Sequence, residues 1–262
     1  MQPIRAARIR WNRSLEGIVV GLLLASLSQT WATASVQEQE KAALEEVQRL
    51  GGRVFTDGDK PEKPIIVVDL SQTSVNDHGL AFLKSFPQLQ GLNLTLTRVT
   101  DAGLAQLQSF SQLRDLSLRH CQVVGSGLEH LKGLTSLRSL NLGFTEITTD
   151  RMAHLKGLTH VERLVLDALT VKDKGLENLG GLTGLREISL AGTQISDAGL
   201  VHLRALTRLE SLSLANTRVT DAGLNSLKGL AQLRHLFLEK TDVTDAGVKD
   251  LKKALPDLVI QR

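Results

Sequence analysis

The chain has no tyrosine, a single cysteine, two tryptophans and six phenylalanines in 262 residues. Each shortage excludes something. The lone Cys121 rules out an intramolecular disulfide framework, so the folded chain must be held by core packing. Trp11 and Trp31 both fall in the first 34 residues, which leaves Phe as the aromatic supply of everything after them. Tyr, Trp and Arg carry most interface hot spots, so a binding surface here has few aromatic anchors and modest affinity is expected. No HxxxH or Cys/His pair has metal-ligand spacing. No strand-GxGxxG-helix or GxxxxGK[ST] loop is present, and no nucleophile, base and orienting acid stand at a plausible spacing. No cofactor, no metal site and no catalytic residue are therefore expected.

What is present begins with residues 1–34, which have the three parts of a secretory signal: basic Arg5, Arg8, Arg10 and Arg13, apolar Gly17 to Leu27, and the small-residue cleavage site Ala32-Thr33-Ala34. The apolar stretch is about half of what a membrane-spanning helix needs. Cleavage with no span left in the mature chain is expected, with a retained N-terminal membrane anchor as the runner-up. No Cys follows for a lipid anchor. Removing this segment takes four Arg and one Glu from 31 basic and 28 acidic side chains and leaves 27 of each. The isoelectric point near 9.1 thus belongs to the leader, and the usual step from a basic chain to a nucleic-acid partner fails.

From Ile65 a 24-residue unit recurs eight times, opening at Ile65, Leu89, Leu113, Leu137, Val161, Leu185, Leu209 and Leu233. Its clearest copy is Leu209 to Gln232, LESLSLANTRVTDAGLNSLKGLAQ. Each unit opens with a half-buried strand pattern, as where Leu185, Ile188 and Leu190 point in while Glu187 and Ser189 point out. It then changes to the three-residue spacing of a short helix at Leu200, Leu203 and Leu206. About seven aliphatics per unit at roughly 1.5–3 kcal/mol each face an ordering cost of about 1–2 kcal/mol for every residue. One unit alone is unstable, and stacked units share the burial. The expected organisation is a signal at 1–34, an N-terminal cap at 35–64, eight repeats at 65–257 and a C-terminal cap at 258–262. Within the first cap a helix over 35–50 turns Ala42, Leu44, Val47 and Leu50 inward, Gly51-Gly52 ends it, and 53–56 form a short strand. At the other end Pro256 and a one-residue slip to Leu258 end the register.

Several columns recur through the units. The ninth position, Thr73, Thr97, Cys121, Thr145, Leu169, Thr193, Thr217 and Thr241, reads as a buried hydroxyl ladder serving backbone groups, with Cys121 inert within it. His120 points away from Cys121 along the strand, so the two do not form a catalytic pair. The thirteenth position, Asp77, Asp101, Asp173, Asp197, Asp221 and Asp245, is placed to cap the following helices rather than to bind calcium. Glycines two residues later, Gly79 to Gly247, allow close packing of coils. The second position alternates as Arg138, Glu162, Arg186, Glu210, Arg234, an internal ion-pair ladder across strands. His130, His154 and His202 form a surface column. Asn93-Leu94-Thr95 matches a glycosylation sequon.

The solvent side of the sheet, at positions three, five, seven and eight, remains for function. The coils opening at Leu113, Leu137 and Val161 place Asp115, Arg119, His120, Asn141, Phe144, Arg163, Val165 and Asp167 there, and the same coils depart from the pattern at Gly125, Arg151 and Leu169. Charge, amides and an exposed Phe together make this the candidate binding face. His235, Phe237, Glu239 and Lys240 form a smaller candidate near the C-terminus.

The phrase VTDAGL at Val99 to Leu104 and Val219 to Leu224, with a Val-ending copy at Val243 to Val248, resembles the exported bacterial leucine-rich-repeat proteins built on LxxLxLxxTxVTDAGLxxLxxL. These are related in pattern to the cysteine-containing repeats of F-box proteins and to ribonuclease-inhibitor-like folds. The GGRV of Gly51 to Val54 is similar to the cap of that group. The resemblance implies an α/β solenoid, a right-handed arc with a concave parallel sheet and short convex helices, and a protein-interaction role. A ubiquitin-ligase adaptor role is not expected to transfer. The function expected is a non-catalytic exported scaffold for a protein or cell-envelope ligand, secreted, periplasmic or at the envelope. The alternative is a structural or adhesive envelope element with no discrete site, and an enzyme is a distant third.

Overall fold

The computed structural model describes residues 36–60 and 62–262. The export signal expected at 1–34 lies outside the described residues.

A helix over 36–49 (α1) opens the fold. Ala43 and Val47, one helical turn apart, are its buried contacts, with Leu44 and Leu50 packed beside them. Ala42, expected inward, is exposed. Gly51, at φ 81°, turns the chain as the helix ends.

Ten strands follow in one sheet, ordered as in the chain: β1 (Arg53–Thr56), β2 (Ile65–Asp69), β3 (Gly91–Asn93), β4 (Asp115–Ser117), β5 (Ser139–Asn141), β6 (Arg163–Val165), β7 (Glu187–Ser189), β8 (Ser211–Ser213), β9 (His235–Phe237) and β10 (Val259–Gln261). From β2 to β10 the pairing is parallel at a constant 24-residue offset, as in Leu92↔Leu116 and Leu116↔Leu140. Parallel neighbours joined by such a crossover wind right-handed, and the molecule is a right-handed leucine-rich-repeat solenoid with short convex helices.

Two features extend the expected eight-stranded sheet. β1 pairs antiparallel to β2, closing the N-terminal end. At the other end the register does not stop at Leu258: Val259 pairs with His235, and β10 adds a ninth parallel strand. Only the buried side chain slips, Leu258 filling the place that the first residue holds in other coils.

Within each coil the core is a column of aliphatics. In the coil opening at Leu209, Leu209, Leu212, Leu214, Val219, Leu224, Leu227 and Leu230 are all between 0 and 2% exposed. The convex side is tighter than an α-helix. Single turns at Asp101–Leu104 (α2), Asp173–Leu176 (α3), Asp197–Leu200 (α4) and Asp221–Leu224 (α5) alternate with 3-10 segments such as His78–Ser85 and Thr149–Gly157. A leucine every third residue is the 3-10 period, so all of them fall on one inward line. The last helix, Asp245–Ala254 (α6), is a true α-helix capped by Thr244, which accepts from the Ala246 and Gly247 N–H groups.

Coils are joined by a contact that the sequence reading assigned differently. The aspartates at position thirteen do not cap their own helices; Thr100, Thr220 and Thr244, one residue earlier, do. Each carboxylate reaches instead to the next coil. Asp197 accepts from the Thr220 N–H at 2.8 Å and hydroxyl at 2.7 Å, and Asp77, Asp173 and Asp221 do the same with Thr100, Ser196 and Thr244. Asp101 takes the Val124, Gly125 and Gly127 N–H groups. The glycine two residues further on is needed for this approach: a Cβ on Gly199 would lie 2.5 Å from Asp173 Oδ1, and Gly103, Gly223 and Gly247 are crowded in the same way.

The irregular coils obey the same rule in reverse. Gly125 replaces the Asp and Arg151 replaces the facing Gly, so the small residue has changed sides, and a Cβ on Gly125 would meet Arg151 Cβ at 2.8 Å. Thr149 stands in for the next Asp, its hydroxyl accepting from the Lys172 N–H at 3.0 Å. Leu169 is buried in the threonine column. The departures from consensus therefore leave the strand register intact.

Candidate functional site

The ninth-position hydroxyls bond within their own coils, Thr97 to the Leu94 carbonyl and Thr145 to the Leu142 carbonyl, both at 2.7 Å. Cys121 differs in donating across coils to the Leu94 carbonyl at 3.0 Å. Burial pushes its thiol pKa up against the opposing hydrogen bonds of Thr97, so the thiolate needed for nucleophilic attack is disfavoured. His120 lies beyond β4 in a left-handed turn and faces Phe144 rather than Cys121. Among the described residues no group of three or more His, Cys, Asp or Glu is placed to hold a metal, and this arrangement pairs no nucleophile with a base.

The third and fifth residues of each coil share the concave face. Strand register orders the first row as Phe55, Val67, Gly91, Asp115, Ser139, Arg163, Glu187. The second row runs Arg53, Asp69, Asn93, Ser117, Asn141, Val165, Ser189. A hollow of about 410 Å³ opens over these rows, lined by Val67, Gly91, Leu92, Asn93, Asp115, Leu116, Ser117, Ser139, Asn141, Arg163 and Val165.

Asp115, Asn141, Arg163 and Val165, four of the eight residues expected from sequence, line this hollow. Arg119, His120 and Phe144 form a separate cluster on its rim. The Arg119 guanidinium carbon sits 4.1 Å from the Phe144 ring centre, and the His120 ring stacks on Phe144 at 4.5 Å. Every eighth residue of a coil adopts a left-handed backbone, at φ values from 54° to 71°, and this turn carries His120 and Phe144 to the rim. Phe144 is 42% exposed, yet its contacts with Arg119 and His120 already occupy much of the ring. Asp167 is an internal tie, accepting from the Ser189 hydroxyl and the Ala191 N–H.

The residues not singled out from sequence are Val67, Gly91, Asn93, Ser117 and Ser139, together with Phe55. Gly91 was the available signal, a glycine opening β3 with no left-handed backbone to explain it. Val67 leans across it: a Cβ there would lie 3.1 Å from Val67 Cγ2. Phe55 is brought in by the antiparallel pairing of β1, opposite Val67.

The charges on this face are mostly satisfied. Burial alone would raise the Asp69 pKa, but hydrogen bonds from Ser71 and the Arg53 guanidinium, 2.8 Å away, hold it below the usual carboxylate range. Arg163 pairs with Glu187 at 3.1 Å. On the flank, Glu162 bridges Arg138 at 3.5 Å and Arg186 at 3.6 Å, and Arg186 continues to Glu210, as the alternating column required. Asn93 and Asn141 accept from the Thr95 and Gly143 N–H groups, locking the turns after their strands. A glycan on the Asn93 sequon would stand in the hollow itself. Of the second candidate, His235, Phe237, Glu239 and Lys240, the first and second lie on β9 beside β10 and the others just after it, and none lines the hollow of about 410 Å³.

No protein-family model matches the chain, and no curated protein does. Among solved structures the chain is similar to internalin C2 from Listeria monocytogenes, with 25% identity over 75% of this chain and 80% of that one and a TM-score of 0.62. It is also similar to internalin F of the same organism, with 21% identity over 84% of this chain and 74% of that one and a TM-score of 0.56. These likenesses establish a solenoid fold related to the internalin type. Among the described residues no helix is long and apolar enough to cross a membrane.

Proposed function

We propose that the chain is a non-catalytic, exported binding scaffold that meets a protein or cell-envelope ligand through the concave face of its sheet. The observation that carries this reading is the hollow of about 410 Å³ in that face, open to solvent and lined by Asp115, Asn141, Arg163 and Val165 beside the Arg119–Phe144 stack. A recess with convergent polar groups on an apolar floor is the usual form of a recognition site. Export rests on the arginine-rich and apolar leader of residues 1–34.

The test is charge reversal of Arg119 and Arg163 to Glu, followed by capture from the native envelope. Loss of captured ligand by about tenfold or more, with the fold unchanged, is the expected result. Among the described residues no further strand pairs with β1 or β10, which favours one competing reading, a structural element that assembles end to end. Capture unaltered by the reversal would support that reading instead.

A further inference from the structure

The hollow is uneven in character along its length. At the N-terminal end Val67 leans over Gly91, and Phe55, just outside the hollow on the neighbouring strand, is 51% exposed beside Val67, so this end is an apolar shelf. Asp115 comes next along the row and is exposed, with no ion pair or side-chain hydrogen bond among the described residues. The other acids of this part of the face are engaged: Asp69 with Arg53 and Ser71, Glu187 with Arg163, and Asp167 with Ser189 and Ala191. The cation lining the hollow, Arg163, is turned to Glu187 on the strand beyond. Asn93 and Asn141 have committed their side-chain oxygens to turns, which leaves their amide N–H groups as donors at the hollow.

Resting on the protein-binding reading above, we propose that the hollow takes an extended segment of the partner polypeptide laid across the strands. An apolar side chain of the segment covers Val67 where it leans over Gly91, and a Lys or Arg two residues along meets Asp115. The spacing agrees. With strands ~4.8 Å apart, Asp115 lies about 7 Å from the midpoint of Val67 and Gly91, and side chains on one side of an extended chain recur at roughly 6.8 Å. The amide groups of Asn93 and Asn141 supply donors for the segment's backbone carbonyls, and the unpaired carboxylate selects the charge.

The experiment uses a displayed library of short random peptides, selected on the full chain and, in parallel, on Asp115→Lys and Val67→Glu variants whose thermal unfolding matches the parent. Peptides enriched on the parent should carry Leu, Ile or Phe two positions from Lys or Arg. In a synthetic peptide of the enriched sequence, changing that basic residue to Glu should weaken binding about tenfold or more, and Asp115→Lys should restore it. Val67→Glu should remove the apolar preference and leave the basic one. Enriched peptides without this spacing, a charge preference unmoved by Asp115→Lys, or no enrichment at all would overturn the inference. If the peptides lack the pattern yet lose binding on Arg119→Glu or Arg163→Glu, only the segment inference falls. Binding indifferent to every change on the concave face would remove the protein-binding reading as well.

Discussion

At the scale of single residues, the contact that organises the molecule is a carboxylate in one coil facing a glycine in the next. Its logic was half legible. The periodic Asp and Gly columns could be read from the sequence, but a side chain preceding a helix has a local partner to cap and a distant one to staple, and spacing alone does not decide between them. Thr100, Thr220 and Thr244 hold the cap before Asp101, Asp221 and Asp245. Asp173 and Asp197, however, reach the neighbouring coil with no side-chain cap before them, so the cross-coil contact is preferred in its own right. The Gly125–Arg151 pair tests the rule. Gly125 sits at φ 107°, so Gly125→Asp alone should cost about 1–3 kcal/mol from backbone strain besides its clash with Arg151. Arg151→Gly alone should cost about 1 kcal/mol as a glycine in a helical segment. Together they restore the common pairing and place a carboxylate opposite Thr148, which has no side-chain cap bond of its own. The double variant should therefore be more stable than the single costs add up to, by about 1 kcal/mol or more, measured as a coupling energy from urea unfolding. Additive costs would mean that the two sites do not interact.

One carboxylate of this column, Asp221, gives the fold an acid limit. Hydrogen bonds from the Thr244 hydroxyl and N–H hold Asp221 below its usual pKa, with Arg262 adding to the effect. A carboxylate with a depressed folded pKa contributes stability that is fully present above its unfolded pKa, about 3.9, and is lost as pH falls through the folded value. The urea midpoint should thus be flat near neutrality and fall below about pH 4. Asp221→Asn should lower the midpoint at pH 7 and make the fall shallower. A parallel displacement of the whole curve would remove Asp221 from the acid transition.

At the scale of elements, strands were easier to foresee than what surrounds them. Alternation at Leu185, Ile188 and Leu190 fixes the face of each strand because its period is two and its neighbours repeat it. The convex segments were expected as helices, yet a three-residue leucine spacing fits a 3-10 turn better than an α-turn, and most of these segments are 3-10 or single α-turns. β1 lies outside the repeat and has no period to reveal its antiparallel pairing, which is why Phe55 was not foreseen on the concave face. The hollow was harder still, since alternation says that Ser139 and Asn141 face solvent but not that small residues on neighbouring strands leave a recess together. The flank ladder was legible from Arg138 to Glu210, although Arg234 turns instead to the Ala231 and Leu233 carbonyls, and it predicts its own salt response. Glu162 bridges two arginines that are 43–45% exposed, so Glu162→Lys should cost only about 1 kcal/mol at low salt. Raising ionic strength toward 1 M should remove most of that difference. A cost independent of salt would place the effect in packing and not in charge.

For the whole molecule, the constant 24-residue offset from β2 to β10 means that each coil contacts its neighbours and little else. Stability is then close to a sum of coil and interface terms, with the two ends needing special covers. The covers are built differently: α1 and antiparallel β1 at one end, the longer α6 and β10 at the other, where Arg262 reaches Asp245 at 2.6 Å and the Val243 carbonyl at 3.1 Å. Removing residues 185–208, one full coil, joins Gly184 to Leu209 in register and brings two equivalent surfaces together. The Asp173 carboxylate, which bonds Ser196 in the parent, would meet Thr220 instead. Removing only 185–196 leaves the strand of one coil out of step with its helix and strips the burial of Leu185, Ile188, Leu190 and Ile195 without replacing it. The full deletion should keep a cooperative transition with a urea slope reduced roughly in proportion to chain length. The half deletion should give little folded protein. Equal loss of folded protein from both would mean that the coils are not interchangeable units, and the account of the arc as a stack of mutually covering turns would fail with it.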